Sequence, residues 1–403
     1  MDLLESLKEE LGEIPDRRVL GRTRHVLSDI LVLSTLAILC QAETWIDIES
    51  FGHSKLEWLK GFLELPNGIP SHDTISRVFS LVEPTEFEKA FVNWVNRVRL
   101  KRGVTDVLCI DGKVVRGTVP KHGGNSRGGL TVVSVWSTVD GLVIGQTKAN
   151  GTGNGEVVAI TELLNLLNIE GLIVVGDAGI GKKSVMEKIV AQGGDYVFPI
   201  KGNSGLTHQV IKETFSKFSE KKSTSKLVQT HSIREKGHGR VEHRHCTILH
   251  KRNFPAELAA IASKLPALKT VGRIVYESSE KETRPYIYAD GEYLPVTDPV
   301  RKKKEVRYFI SSLKLSAKNI MEKLRLQWAI ENQLHWVLDV SLHEDGNKTR
   351  NRIAAANLST VRRIAVNLVK QDKTTKAGIK TKLKKAGWNS KYLENLLFKS
   401  SLN

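Results

Sequence analysis

The stretch that decides how this chain is read is "GLIVVGDAGIGKKSV", residues 171–185. An apolar run ends at Gly176, and four residues later comes Gly181-Lys182. This is close to the glycine-rich loop that cradles nucleotide phosphates, which needs a Ser or Thr directly after its Lys to bind magnesium. Lys183 stands at that position, and Ser184 comes one residue late. Asp177, inside the loop, would also repel phosphates. The stretch reads better as a buried strand that delivers one carboxylate, Asp177, to its carboxyl end, where α/β sheets gather ligands. A nucleotide hydrolase remains the minor reading, with Lys182 as the residue that would carry it.

A second apolar run, "VLCI", ends in Asp111 and Gly112. A third acid belongs to a helix: Leu324, Trp328, Glu331, His335 and Leu338 recur at helical spacing and share one face. That puts Glu331 in an apolar and aromatic stripe, where an unpaired charge is costly and calls for a cationic partner. Each acid has a plainer reading. An Asp beside Gly often only shapes a turn, and Glu331 can pair with Arg325 or sit at the helix rim. Together, carboxylates on two strands and a helix suit two magnesium ions about 3.5–4 Å apart, held by carboxylate oxygens and retained water. Trp328 and Trp336 can stack on a flipped base, but aromatics in a helical stripe favour core packing.

The chain has 403 residues, enough for two or three domains. Its formal charge of +17 is unevenly placed: from Gly346 onward there are fourteen Lys and Arg against Asp372 and Glu394. A basic end interleaved with apolar residues points to a polyanion partner bound through counterion release. The longest apolar run, Ile30 to Cys40, is broken by Ser34 and Thr35 and is too short to cross a bilayer. The acidic, amphipathic start "MDLLESLKEELGEI" is not a secretory signal. Cys40, Cys109 and Cys246 are far apart and odd in number, which suits a reducing compartment without a disulfide framework.

Up to about residue 100 the periodicity is helical. "WIDIESFGHSKLEWLKGFL" reads as one amphipathic helix, and Thr85 and Glu88 stand in capping-box positions for the next. A helix-turn-helix and a plain helical bundle both fit this region. From about 105 three strands follow one another, then helix and strand alternate, which suggests a mixed sheet with helices on its faces. Residues 203–305 are polar, charged and rich in strand-forming residues. Strand character returns at "VRYFISSL", and one long helix is expected from Ala317. In "EKGHGRVEHRHC", residues His238, His243, His245 and Cys246 invite a zinc reading, but alternate strand positions point them apart. A basic hairpin with Arg240 and Arg244 reaching DNA phosphates is the preferred reading.

"LCIDGKVVRG", "VVGDA" and "QWAIENQLHWVLDVSLHED" resemble the three catalytic blocks of DDE transposases of bacterial insertion sequences, nearest the H-repeat-associated group found with Rhs elements. "LSDILVLSTLAILCQAETWIDIESFG", "NGIPSHDTISRVF", "GGDYVFPIKGNSG" and "RRIAVNLVKQDKTTKAGIKTKLKKA" extend the resemblance over nearly the whole chain. It implies an α/β fold: a ribonuclease H-like mixed-sheet core behind a helical N-terminal domain. The segments would be a DNA-binding helical domain (1–104), a first core part (105–202), a β-rich insertion (203–305), a last core part (306–370) and a basic C-terminal tail (371–403). It further implies cleavage at element ends and strand transfer into target DNA, with Asp111, Asp177 and Glu331 as a catalytic triad for two Mg2+ ions, Mn2+ substituting. Lys113, Arg116, Arg325 and Asn332 become candidate contacts to DNA phosphates or neighbours of the triad, and Lys201 joins Arg240 and Arg244 as a DNA contact. The partners would be double-stranded DNA and a second copy of the chain in a synaptic homodimer, in the bacterial cytoplasm at the nucleoid. The family usually follows its second Asp with Ala-Met-Gly-Cys-Gln, whereas this chain has Ala178-Gly179-Ile180-Gly181-Lys182. Gly153-Asn154-Gly155-Glu156 replaces a Lys-Ser-Asn-Glu block, and Gln327 a His. These departures leave open a catalytically inactive copy that only binds DNA.

Overall fold

Apolar residues recurring every three to four positions build the first six elements: α1 (Leu3–Gly12), α2 (Leu27–Leu39), α3 (Trp45–Ser54), α4 (Leu56–Leu59), α5 (His72–Leu81) and α6 (Pro84–Val98). In this computed structural model the described residues are 2–19, 21–99, 105–119, 128–149, 155–220, 227–237, 240–280, 286–289, 292–295 and 301–398. They fall into two units, residues 1–169 with 327–403, and residues 170–326. The segments expected from sequence cut across these units.

The first unit adds to its helices the strands β1 (Val107–Val115), β2 (Leu130–Ser137) and β3 (Leu142–Ala149), then α7 (Gly155–Leu166). The three strands form an antiparallel meander in which Asp111 lies opposite Ser134. Two sequence expectations change here. The single amphipathic helix after Trp45 is broken at Lys55, whose φ of −117° and ψ of 14° leave the helical range. The capping box at Thr85 does not form, because Pro84 occupies the first helical turn and starts α6 earlier. Glu88 instead turns inward and accepts a hydrogen bond from Lys148 N at 3.2 Å.

The second unit runs β4 (Ile173–Val175), α8 (Lys183–Ala191), β5 (Asp195–Ile200), α9 (Gly205–Glu220), β6 (Val228–Gly237), β7 (Arg240–His250), α10 (Ala256–Ala262), β8 (Thr270–Glu280), β9 (Tyr286–Ala289), β10 (Glu292–Pro295), β11 (Arg301–Ser311) and α11 (Ala317–Leu326). Its strands lie in the order β4-β5-β11-β8-β7-β6, and β9 and β10 pair separately. β4 and β5 are parallel and the other pairs antiparallel. β11 joins both regions: Tyr308 lies opposite Ile200 on one side and Arg273 on the other. The β-rich stretch therefore continues the hydrogen bonding that begins at β4 and β5.

The expected long helix is interrupted. α11 ends at Leu326, Gln327 is a turn, and the first unit resumes with α12 (Trp328–Ile330), a π-turn over Glu331–His335 and α13 (Trp336–Ser341). α14 (Arg352–Gln371) packs on α2, α5 and α6 and on strands β2 and β3. Its Asn357 donates to the Phe79 and Val82 carbonyls at 2.9 and 2.8 Å, satisfying backbone acceptors at the end of α5. The stretch read as a basic tail folds as α15 (Ile379–Trp388) and α16 (Ser390–Phe398), burying Leu383, Leu393 and Leu397. Arg362 and Arg363, two of the fourteen basic residues counted from Gly346, are buried in α14. Among the described residues no helix is long and apolar enough to cross a membrane.

Candidate metal centre

In the first unit, Asp111 on β1 meets Glu331 and His335 from the π-turn. One donor atom from each lies within 4.8 Å of the others. His335 Nδ1 is 3.0 Å from Glu331 Oε2 and 3.5 Å from Asp111 Oδ2. π-turns insert a residue into a helix and re-aim side chains, often at functional sites. Here the turn leaves Ile330, Leu334, Val337, Leu338 and Ser341 inside and Glu331 at the surface. The Glu331 side chain is 58% exposed and that of Asp111 29%, while that of His335 is only 5% exposed. Burial lowers the pKa of His335 and outweighs the opposing pull of Glu331. Two accessible carboxylates and a buried imidazole suit a divalent cation: oxygen donors for a hard ion, one nitrogen, and open positions for water or substrate.

Gly112 follows Asp111 for a steric reason. A Cβ there would overlap Oε1 of Glu156, in the first turn of α7. Glu156 is thus a third carboxylate beside the site, visible in the sequence only as the retained end of an altered block.

Lys113 lies two residues along β1 from Asp111, and its Nζ is held by Asp345 at 2.6 Å, Asp339 at 2.7 Å and Glu344 at 3.6 Å. Burial opposes its charge, but the three carboxylates prevail and keep its pKa above the ordinary lysine value. Expected at a DNA phosphate, Lys113 is instead enclosed. Behind it, Arg363 donates to Glu344 at 2.8 Å and to Ser134 at 3.1 Å. Burial pushes the Glu344 carboxyl up, yet Arg363, Arg362 and Lys113 bring it down to about 2.

The other expected DNA contacts divide sharply. Arg116 is 84% exposed, with Asp345 at 3.4 Å. Lys201 and Asn332 are exposed. Arg325 is exposed and pairs with Glu235 at 3.0 Å. Arg240 is bound to Glu242 at 2.6 Å. Arg244 is clamped by Glu235 and Glu242 and lies over the Tyr276 ring, so its guanidinium is not free for a phosphate. Trp328 and Trp336 are each 56% exposed, against the expected core packing. The buried face of this segment is the one that carries Ile330, Leu334, Val337 and Ser341.

Asp177 lies two residues beyond β4 in the second unit, exposed, with Oδ1 accepting from Gly179 N at 2.8 Å and Ile180 N at 3.0 Å. Its carboxylate thereby occupies backbone donors that a phosphate loop would turn toward its anion. In the same unit the zinc reading does not assemble. His245 bonds Ser232, His243 faces Glu277 and Cys246 is buried, while His238 lies outside the described residues.

Residues 102–368 match the family model described as the Transposase DDE domain, and residues 8–95 the DDE_Tnp_1-associated model. The chain belongs to the DDE transposase family. The "H repeat-associated putative transposase YhhI" of Escherichia coli (strain K12) is 38% identical over 400 residues, covering 99% of this chain and 100% of that protein. "Putative protein YbfL" of the same organism is also 38% identical, with the same coverage. A piggyBac transposase in a synaptic complex with hairpin DNA overlaps 99% of this chain and 79% of its own, at 11% identity and a TM-score of 0.38. Transposase membership places the chain in DNA transposition and implies DNA binding and dependence on a divalent metal.

Proposed function

We propose that this transposase binds the ends of an insertion sequence and catalyses metal-dependent cleavage and strand transfer. The observation that carries the reading is the convergence of Asp111 and Glu331, distant in sequence, on one accessible point. Asp177 is carried forward from the family motif as the third metal-holding carboxylate. A ribonuclease H-like core and a homodimer holding two DNA ends belong to the same reading. So does Mg2+ as the physiological ion.

Asp111 and Glu331 would hold divalent ions, which would supply activation of a water or a 3′-hydroxyl and stabilisation of the leaving oxygen of the phosphodiester. Asp111 and Glu331 supply anionic oxygens, and solvent access on their side admits the DNA backbone. His335 Nδ1 lies 3.0 Å from Glu331 Oε2, which places the imidazole beside the carboxylate. Arg116 and Asn332, exposed in the same unit, are suited to phosphate contact and do not select sequence.

The deciding experiment incubates purified protein with Mg2+ or Mn2+ and a plasmid bearing the flanking inverted repeats. Nicking that disappears in Asp111→Asn, with DNA binding retained, supports the reading. Unchanged nicking in that variant removes Asp111 from the mechanism. The second reading, a DNA-binding protein without catalysis, is favoured by the altered residues after Asp177 and the engagement of its carboxylate with its own backbone. It predicts shifted DNA without broken ends.

A further inference from the structure

We infer that His335 is a nitrogen ligand of the divalent ion, making the first unit's site two carboxylates and an imidazole instead of carboxylates alone. The inference rests on the metal-dependent reading above and adds a donor that the acidic motif does not contain.

Three observations support it. First, His335 Nδ1 faces both acids, 3.0 Å from Glu331 Oε2 and 3.5 Å from Asp111 Oδ2. Adjacent donors around an octahedral ion with bonds of about 2.0–2.1 Å stand roughly 3 Å apart, so these separations need only small side-chain shifts to become coordination edges. Second, the imidazole is held in place. Its side chain is 5% exposed, in a helical segment whose neighbours Leu334, Val337 and Leu338 are buried. A ring fixed by packing meets an incoming ion without reorganisation, whereas the more exposed Glu331 can adjust. Third, Nε2 is fully buried and has no hydrogen-bond partner among the described residues, so the ring's polar contacts lie wholly on the Nδ1 side. A neutral imidazole offering its Nδ1 lone pair to a cation keeps its proton on Nε2, and the remaining donors are carboxylates and water.

An imidazole changes which ions the site prefers. Mg2+ favours oxygen ligands and retains its waters, whereas Mn2+ and the later first-row ions accept nitrogen more readily. The site should therefore discriminate for Mn2+ over Mg2+ more strongly than a site of carboxylates alone.

The test uses the full chain with Mn2+ as probe, measuring affinity by titration and nitrogen coordination by pulsed electron paramagnetic resonance. Bound Mn2+ should show imidazole 14N coupling in the unaltered protein. His335→Asn, which keeps an amide near the Nδ1 position, should lose that coupling and weaken Mn2+ binding about tenfold or more, while Mg2+ competition changes less. His335→Gln serves as a second variant, and the unaltered protein's spectrum decides even if both variants misfold. Bound Mn2+ without nitrogen coupling overturns the role of His335 and leaves the carboxylate site standing. Coupling that persists in a folded variant assigns the nitrogen to another residue and also overturns it. No Mn2+ binding at all, with or without a double-stranded oligonucleotide, overturns this inference together with the metal-dependent reading.

Discussion

Arg363 Nη1 donates to Glu344 Oε1 at 2.8 Å, and both side chains are fully buried. The same guanidinium reaches Ser134 on β2, which lies opposite Asp111 in the strand register. A buried ion pair thus stands behind the strand that carries Asp111.

Breaking this pair from one side strands a charge in the core. Arg363→Met or Glu344→Gln alone should cost about 3–5 kcal/mol of stability, read by urea unfolding. Replacing both together by apolar residues should cost less than the worse single change, because no buried charge is left alone. Single-variant losses below about 1 kcal/mol would show that the pair contributes little.

Acid should act on Glu344 and base on Glu88. Glu344 falls to about 2 in the fold, so its contribution is fully present above the ordinary value of 4.5 and is lost as pH drops toward 2. Glu88 goes the other way: burial raises it to about 7. Its contribution is present below 4.5 and is lost as pH rises through 7. Glu88→Gln keeps an acceptor for Lys148 N and should stabilise the protein at pH 8 by on the order of 1–3 kcal/mol, with no gain at pH 4. Equal melting-temperature shifts at both pH values would contradict this.

Gly112→Ala should disturb the site without removing a ligand. The added Cβ meets Glu156 Oε1 and must displace that carboxylate or bend β1 beside Asp111. A stability loss of about 1–3 kcal/mol is expected, with nicking lowered further than DNA affinity. Activity equal to that of the unaltered chain would show that the contact relaxes freely.

Trp328→Ala and Trp336→Ala should leave stability within about 0.5 kcal/mol, as for exposed positions, because both rings are mostly in solvent. If they stack on bases, each should weaken binding to DNA with unpaired ends by about 1–3 kcal/mol. Comparing single-stranded and fully paired probes in gel-shift titrations checks this, and unchanged affinity for both would leave these rings without a DNA role.

How much of this could be read beforehand differs by residue. Asp111 and Asp177 stand out because each follows or sits beside a glycine after an apolar run, but β1 continues past Asp111 to Val115, so Asp111 lies mid-strand, and Asp177 lies two residues beyond β4. Glu331 is legible as an acid on a mostly apolar face, but of the two placements that face allows, buried or at the rim, the structure takes the exposed one, because the buried stripe runs through Ile330, Leu334, Val337 and Ser341. The two tryptophans lie off that stripe and face solvent. Lys113 and Arg244 looked like DNA contacts because sequence shows charge but not its neighbours, and tertiary neighbours neutralise both. Glu156 offered a signal in its altered block, and His335 in its spacing from Glu331. Neither spacing nor composition could say that His335 would also face Asp111.

The sequence by itself determined the family, the alternation of helices and strands, the acids that follow apolar runs and the excess of positive charge. These rest on short-range rules: steric periodicity along the backbone, turn chemistry and counting. The tertiary structure alone decided that Asp111, Glu331 and His335 share a site, that Arg363 and Lys113 serve the interior, and that Trp328 and Trp336 face solvent. Such outcomes depend on which distant segments exclude water from one another, and that desolvation selects each charge's partner.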